Sequence, residues 1–179
     1  MLNQLINVFW TTLSFSLIGW YWGLYFAENR SPLILIMSIT LSILIYVLPA
    51  KWLNALMLSK DRKTYERLGL KFFRYFVQDG TLVNRYLRKH KMDFGVIRNR
   101  NHAIVYLRTI SIQERFHYCC LIMFTLTSLC AIVLGRPGLG LLIVLNNILY
   151  NVYPILLQQY NKVRINTVLA NGRLNNFSP

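Results

Sequence analysis

Near the middle of the chain, Glu114-Arg115-Phe116-His117 sets a carboxylate and an imidazole three positions apart. On a helix such residues are neighbours, so the carboxylate can hold one ring nitrogen and leave the other free as a base. Di-iron bundles use the same E-x-x-H spacing, but in two copies and with further carboxylates. A single copy stands here, and no metal site is expected. Plain ion pairing fits the same residues: Glu114 neutralises Arg115 or Arg108, and His117 reaches water from the membrane interface.

A second constellation lies downstream, where Asn147, Asn151, Pro154 and Gln158 recur at helical intervals. In lipid an amide side chain must find a partner, so this stripe is expected to face a bundle interior or a cavity. Pro154 has no N–H and crowds the carbonyl of Tyr150, which leaves a free backbone acceptor beside the amides. The stripe reads equally as interhelical packing with a kink or as a pocket for a polar group inside the membrane. It continues into Gln158-Gln159-Tyr160-Asn161-Lys162-Val163-Arg164.

The elements that must carry these residues are long and apolar. Residues 1–27, 31–50, 117–135 and 137–161 hold no Asp, Glu, Lys or Arg. A helix rises about 1.5 Å per residue and needs about 20 apolar residues to cross a hydrocarbon core of about 30 Å. The expected fold is therefore all-α: a polytopic integral membrane protein forming a single domain over residues 1–179. It has about four transmembrane helices, near residues 5–26, 32–50, 118–134 and 138–160, plus cytosolic interfacial amphipathic helices. Arg136-Pro137-Gly138 fits a type II turn, making the last two spans an antiparallel hairpin. That pairing would bring Glu114 and His117 to the same depth as the cluster ending in Arg164.

Charge sets the orientation. The net charge is +14, and residues 51–115 hold fifteen Lys or Arg against five acids. The short turns carry only Glu28 with Arg30, and Arg136. Basic residues near span ends stay on the cytoplasmic side, so the basic segment 51–116, the short tail 162–179 and both termini are expected in the cytosol of a multi-pass cytoplasmic-membrane protein. No nucleic-acid recognition motif accompanies the basic stripe, so anionic headgroups and anionic cosubstrates such as coenzyme A are its expected partners.

The rest of the chain says less about chemistry. Cys119, Cys120 and Cys130 lie within one apolar stretch and read as small packing residues. The first span lacks a basic leader and a small-residue cleavage site, so it is expected to be retained. Tyr65, Leu68, Phe72, Phe73 and Phe76 recur at helical spacing opposite Glu66, Arg67, Lys71 and Arg74, as in a helix lying in the interface and ending at Asp79-Gly80. Trp10, Trp20, Trp22 and Trp52, with Tyr21 and Tyr25, suit an aromatic belt anchoring helix ends.

With these residues in view, the chain resembles the glycosyl-diaponeurosporenoate acyltransferase family, membrane proteins that acylate the sugar of carotenoid glycosides. Three motifs from Tyr65 to the end of the last span carry the resemblance. Tyr65-Glu66-Arg67-Leu68-Gly69 is similar to an aromatic-E-x-x-G element. Glu114-x-x-His117-Tyr118 is similar to E-x-x-H followed by Trp or Tyr. Asn151-x-x-Pro154 through Gln158-Gln159-Tyr160-Asn161-Lys162-Val163-Arg164 is similar to N-x-x-P…Q-R-Y-N-R-x-R, with Gln159 in place of a basic residue and Lys162 in place of Arg.

The resemblance implies transfer of a fatty acyl group from an activated donor, acyl-CoA, to a sugar hydroxyl of a glycosylated carotenoid or similar lipid, with no bound cofactor. His117 would take the hydroxyl proton, with Glu114 fixing its tautomer. Asn147, Asn151, Gln158, Tyr160 and Asn161 would bind or orient substrate, and Arg164 would hold a donor phosphate. No Ser or Cys stands as a nucleophile, so direct transfer is expected. The competing reading is a non-enzymatic membrane scaffold that binds anionic lipid and would tolerate loss of Glu114 and His117.

Overall fold

The computed structural model describes residues 2–70 and 100–170, and among these every regular element is helical. They are α1 (Leu2–Ala27), α2 (Leu33–Tyr46), α3 (Ala50–Ala55), α4 (Arg62–Arg67), α5 (Arg100–Val133), α6 (Pro137–Asn147), a π-helical turn (Ile148–Val152) and α7 (Tyr153–Ala170). The residues fall into two compact units. Unit 1 comprises Met1–Asn7, Leu56–Glu114 and Leu156–Pro179; unit 2 comprises Val8–Ala55 and Arg115–Ile155.

Unit 2 has the inside-out polarity of a protein dissolved in lipid. Ser14, Ser38, Ser42, Thr127, Ser128, Asn147 and Asn151 are buried, whereas Phe9, Leu13, Trp20, Ile36, Met37, Ile43, Leu141 and Leu145 are exposed. In water such an apolar exterior would be a large aggregation surface, but hydrocarbon removes that cost. The buried serines and threonines of α2 and α5 return their hydroxyl protons to helix carbonyls, Ser38 to Ile34 at 2.8 Å and Thr127 to Met123 at 2.8 Å. An aromatic cluster around Tyr21, Trp22, Tyr25, Phe124 and Tyr150 fills the remaining interior.

Among the described residues, two helices are long and apolar enough to cross a membrane, Arg100–Val133 and the continuous run Pro137–Ala170. The first extends well upstream of the expected span, since helix already begins at Arg100. The second expected span, 32–50, is shorter: α2 has 14 residues, which rise only about 21 Å against a core of about 30 Å. Proline is the cause. Pro49 has no N–H for the carbonyl of Ile45 and disfavours helix at Leu48. Arg115 then takes up the stranded carbonyls, its guanidinium donating to Tyr46 O at 2.8 Å and Leu48 O at 2.5 Å. A cation at a helix C-terminus satisfies both the orphan acceptors and the macrodipole, so Arg115 serves α2 and not Glu114.

The hairpin between α5 and α6 forms, but one residue pair earlier than a type II turn at Pro137-Gly138. Gly135 has φ +80, and Arg136 N and Gly135 N donate to Ala131 O at 2.9 Å and Ile132 O at 3.2 Å. This is a Schellman ending with glycine in the left-handed position, after which Pro137 opens α6 at its first turn. Arg136 also donates to Glu28 at 2.5 Å, while Arg30 donates to the other oxygen of Glu28 at 2.6 Å. The two short turns therefore share one end of unit 2. Arg136 and then Arg30 hold the Glu28 carboxyl below its usual range.

Beyond the turn, α6 approaches α5 through Gly140, where an added Cβ would lie 2.9 Å from the main-chain oxygen of Ser128 and 2.5 Å from a side-chain carbon of Ile132. Gly140→Ala is expected to pry this contact open and destabilise the protein by about 1–3 kcal/mol, read as a lowered unfolding temperature in detergent; an unchanged temperature would mean the helices are not this close.

Unit 1 packs α4 and the upstream part of α5 against α7. Tyr65, Leu70, Leu157 and Tyr160 form one apolar cluster, and Ala103, Ile110 and Ile165 another. Asp61 caps α4 by accepting from Lys63 N at 3.1 Å. The helix ends at Arg67, and Gly69 comes two residues later with φ +77. The left-handed glycine thus closes α4, which carries Tyr65, at its C-terminal end. The remainder of the expected interfacial helix, its end at Asp79-Gly80, and the tail 171–179 lie outside the described residues. Cys119, Cys120 and Cys130 are free thiols.

Candidate functional site

The expected chemistry separates into two polar clusters, one in each unit. In unit 2, His117 on α5 meets the amide stripe of the last span. Its Nδ1 lies 3.3 Å from Asn151 Oδ1. Asn151 is completely buried and donates through Nδ2 to Asn147 Oδ1 at 2.7 Å. Asn147 in turn donates to Leu121 O at 3.1 Å and to Thr125 Oγ1 at 3.0 Å. The imidazole packs edge-on against Tyr150 at 5.6 Å, and Tyr150 stacks on Phe124 at 6.1 Å while its hydroxyl meets Thr11 at 3.0 Å.

The backbone of the last span explains why the amides gather here. Pro154 cannot donate to Tyr150, and the helix absorbs the defect as the π-helical turn, with Tyr153 N reaching back to Ile148 O. Such single-turn π segments add one residue to a helix and rotate the side chains beyond them to new directions.

In unit 1, Glu114 is wholly buried and forms an ion pair with Lys162, itself only 8% exposed in its side chain. The second carboxylate oxygen, Oε1, is buried with no hydrogen bond from the described residues. The local E-x-x-H pairing expected within α5 is thus replaced by two remote ones, Glu114 with Lys162 and His117 with Asn151. Also in this unit, the buried Gln159 fastens the segment before α4: its Oε1 accepts from Leu58 N at 3.1 Å and lies 3.2 Å from the Tyr65 hydroxyl, which donates to Ser59 O at 2.7 Å. Glu66 accepts from Arg62 at 2.8 Å and lies 3.5 Å from the buried Tyr160 hydroxyl, with the Arg62 guanidinium 5.4 Å above the Tyr160 ring.

The other expected site residues have different surroundings. Gln158 Nε2 donates to Gln113 at 3.0 Å in an exposed contact. Asn161 is half-buried, and Arg164 is exposed. Lys162 and Gln159, which the polar stripe passes over, are buried members of the same segment. Their signal in the sequence was the shared motif, not the helical period.

A family model for glycosyl-4,4'-diaponeurosporenoate acyltransferase matches residues 49–171, well over half of the chain. The chain belongs to that family. The match starts upstream of Tyr65 and takes in the three motifs that carried the resemblance. No curated protein and no solved structure matches the chain. In this acyltransferase family member the motifs have visible structural work: Tyr65, Glu66 and Gly69 build the α4 ending that Gln159 and Tyr160 hold. Glu114 and Lys162 neutralise each other, while His117 and Asn151 form a motif pair that includes a base. The family and the two apolar helices mark a membrane acyltransferase.

Proposed function

We propose that the protein transfers a fatty acyl group from acyl-CoA to a sugar hydroxyl of a glycosylated carotenoid or a similar membrane glycolipid, with His117 as the general base. The observation that carries this reading is the His117–Asn151 pair inside the apolar unit of a chain from this family. One ring nitrogen is held by a neutral amide, and the other is left for the acceptor.

The hydroxyl oxygen bonds to the thioester carbonyl carbon as its proton passes to His117. Collapse of the tetrahedral intermediate breaks the C–S bond, and the proton moves from the imidazolium to the departing thiolate. Ester and free coenzyme A thiol result, with His117 returned to its starting state.

Glu114 is assigned to the ion pair with Lys162 instead of the tautomer role, which falls to Asn151. Arg164, exposed on α7, suits a phosphate of the donor. Tyr160, Asn161 and Gln158 remain proposed substrate contacts. Charge asymmetry supports a cytosolic basic segment and cytosolic termini, on the side where acyl-CoA is supplied; the shared end of the two short turns agrees with one non-cytosolic side.

Mass spectrometry of lipid extracts from cells with and without the protein tests the activity and identifies the acceptor. A lipid that gains one acyl mass only in cells with the protein is the expected result; identical extracts would reject the assignment as an acyltransferase.

A further inference from the structure

Resting on the reading above, we propose that His117 is held as the Nδ1–H tautomer by an amide relay anchored on the main chain of α5, and that Asn147 is a positioning residue which never touches substrate. The relay runs outward from atoms whose roles admit no choice. The carbonyl of Leu121 can only accept. Thr125 donates its single hydroxyl proton to that carbonyl at 2.7 Å, so toward Asn147 its oxygen can only accept. The Asn147 group lying 3.1 Å from Leu121 O and 3.0 Å from Thr125 Oγ1 must therefore be its NH₂.

That orientation turns Asn147 Oδ1 toward Asn151, 2.7 Å away, and an acceptor there requires the Asn151 NH₂. Asn151 then presents its own oxygen to His117 Nδ1 at 3.3 Å. An acceptor opposite Nδ1 requires a proton on Nδ1, and a neutral imidazole carries only one. The lone pair is left on Nε2.

The two amides are buried and His117 is half-buried, so water competes little for these groups. Reversing either amide would set acceptor against acceptor on one side of it and donor against donor on the other, and unpaired polar groups are costly in an apolar interior. The relay thus does with two neutral amides what a carboxylate does for the histidine of a serine-hydrolase triad. Neutral amides suit a site inside lipid, where a carboxylate would itself need a partner. Asn147 owes its place on the polar stripe to this function and not to a substrate.

Nitrogen-15 NMR of the full-length protein in lipid bilayers, with labelled histidine and the His117 signal identified by its loss in His117→Gln, reads the tautomer directly. The expected wild-type state is a proton on Nδ1. Asn147→Leu is expected to populate the Nε2–H form as well, and to lower kcat about tenfold to a hundredfold with the acceptor KM unchanged, short of the ~10⁴-fold cost of a wholly wrong tautomer. Thr125→Val keeps the side-chain volume and is expected to shift the tautomer in the same direction by less. An Nε2–H wild type overturns the relay, as does an Nδ1–H state untouched by both variants or an Asn147→Leu effect confined to KM. If the tautomer behaves as stated but His117→Ala still acylates at the parental rate, the relay stands and the catalytic reading falls.

Discussion

Replacing His117 by alanine is expected to lower acyl transfer by about 10²–10⁴-fold, the range that general acid–base catalysis contributes. The residual rate would come from binding and orienting the two substrates. The effect should fall on kcat, since the imidazole moves a proton only as the C–O bond forms, and acceptor KM should stay near its wild-type value. His117 is half-buried and its side-chain hydrogen bond to Asn151 is long, at 3.3 Å, so its loss should leave α5 inserted and folded. The measurement is the initial rate of acyl-lipid formation by purified protein in detergent, normalised to folded protein. A His117→Ala rate within twofold of wild type would remove His117 as the base and leave the acyl transfer to other groups of the chain.

The chain announces some of this arrangement and conceals the rest for physical reasons. Asn147 and Asn151 were legible because an amide in an apolar helix needs a partner, and Pro154 because a missing N–H must strand a carbonyl. The same proline hid Gln159. Counted from Asn151 at 3.6 residues per turn, Gln158 continues the stripe; the π-helical turn at Ile148–Val152 adds a residue, and burial passes to Gln159. The turn at Gly135 was displaced by an ambiguity in Arg136-Pro137-Gly138, since proline is equally at home inside a turn and at the first position of a helix. The partner of Glu114 was out of reach altogether: the periodicity of α5 offers His117 and Arg115, whereas Lys162 is brought in by tertiary packing. Of the four expected spans, two appear as helices of full length and apolarity, and α2 falls short because of Pro49.

Lys162 provides the largest expected effect on stability. Its ammonium is a hydrogen-bond partner of a carboxylate with no exposed surface, and the other oxygen of Glu114 has no partner among the described residues to share the load. Lys162→Met keeps most of the side-chain volume but leaves Glu114 charged and buried, or forces it to take up a proton. Breaking a buried pair from one side costs about 3–5 kcal/mol, enough to remove much of the stability of a protein this small. A much lower unfolding temperature in detergent and poor recovery from membranes are the expected results. The double variant Glu114→Leu/Lys162→Met separates this cause from a general intolerance at position 162. Removing both charges spares the desolvation penalty, so the double variant should recover most of the stability that Lys162→Met loses. A double variant as unstable as Lys162→Met would show that the lysine acts through contacts other than Glu114. Recovery of folding without recovery of acyl transfer would instead mean that the charged pair, although assigned no part in the proton transfer at His117, also shapes how the donor binds.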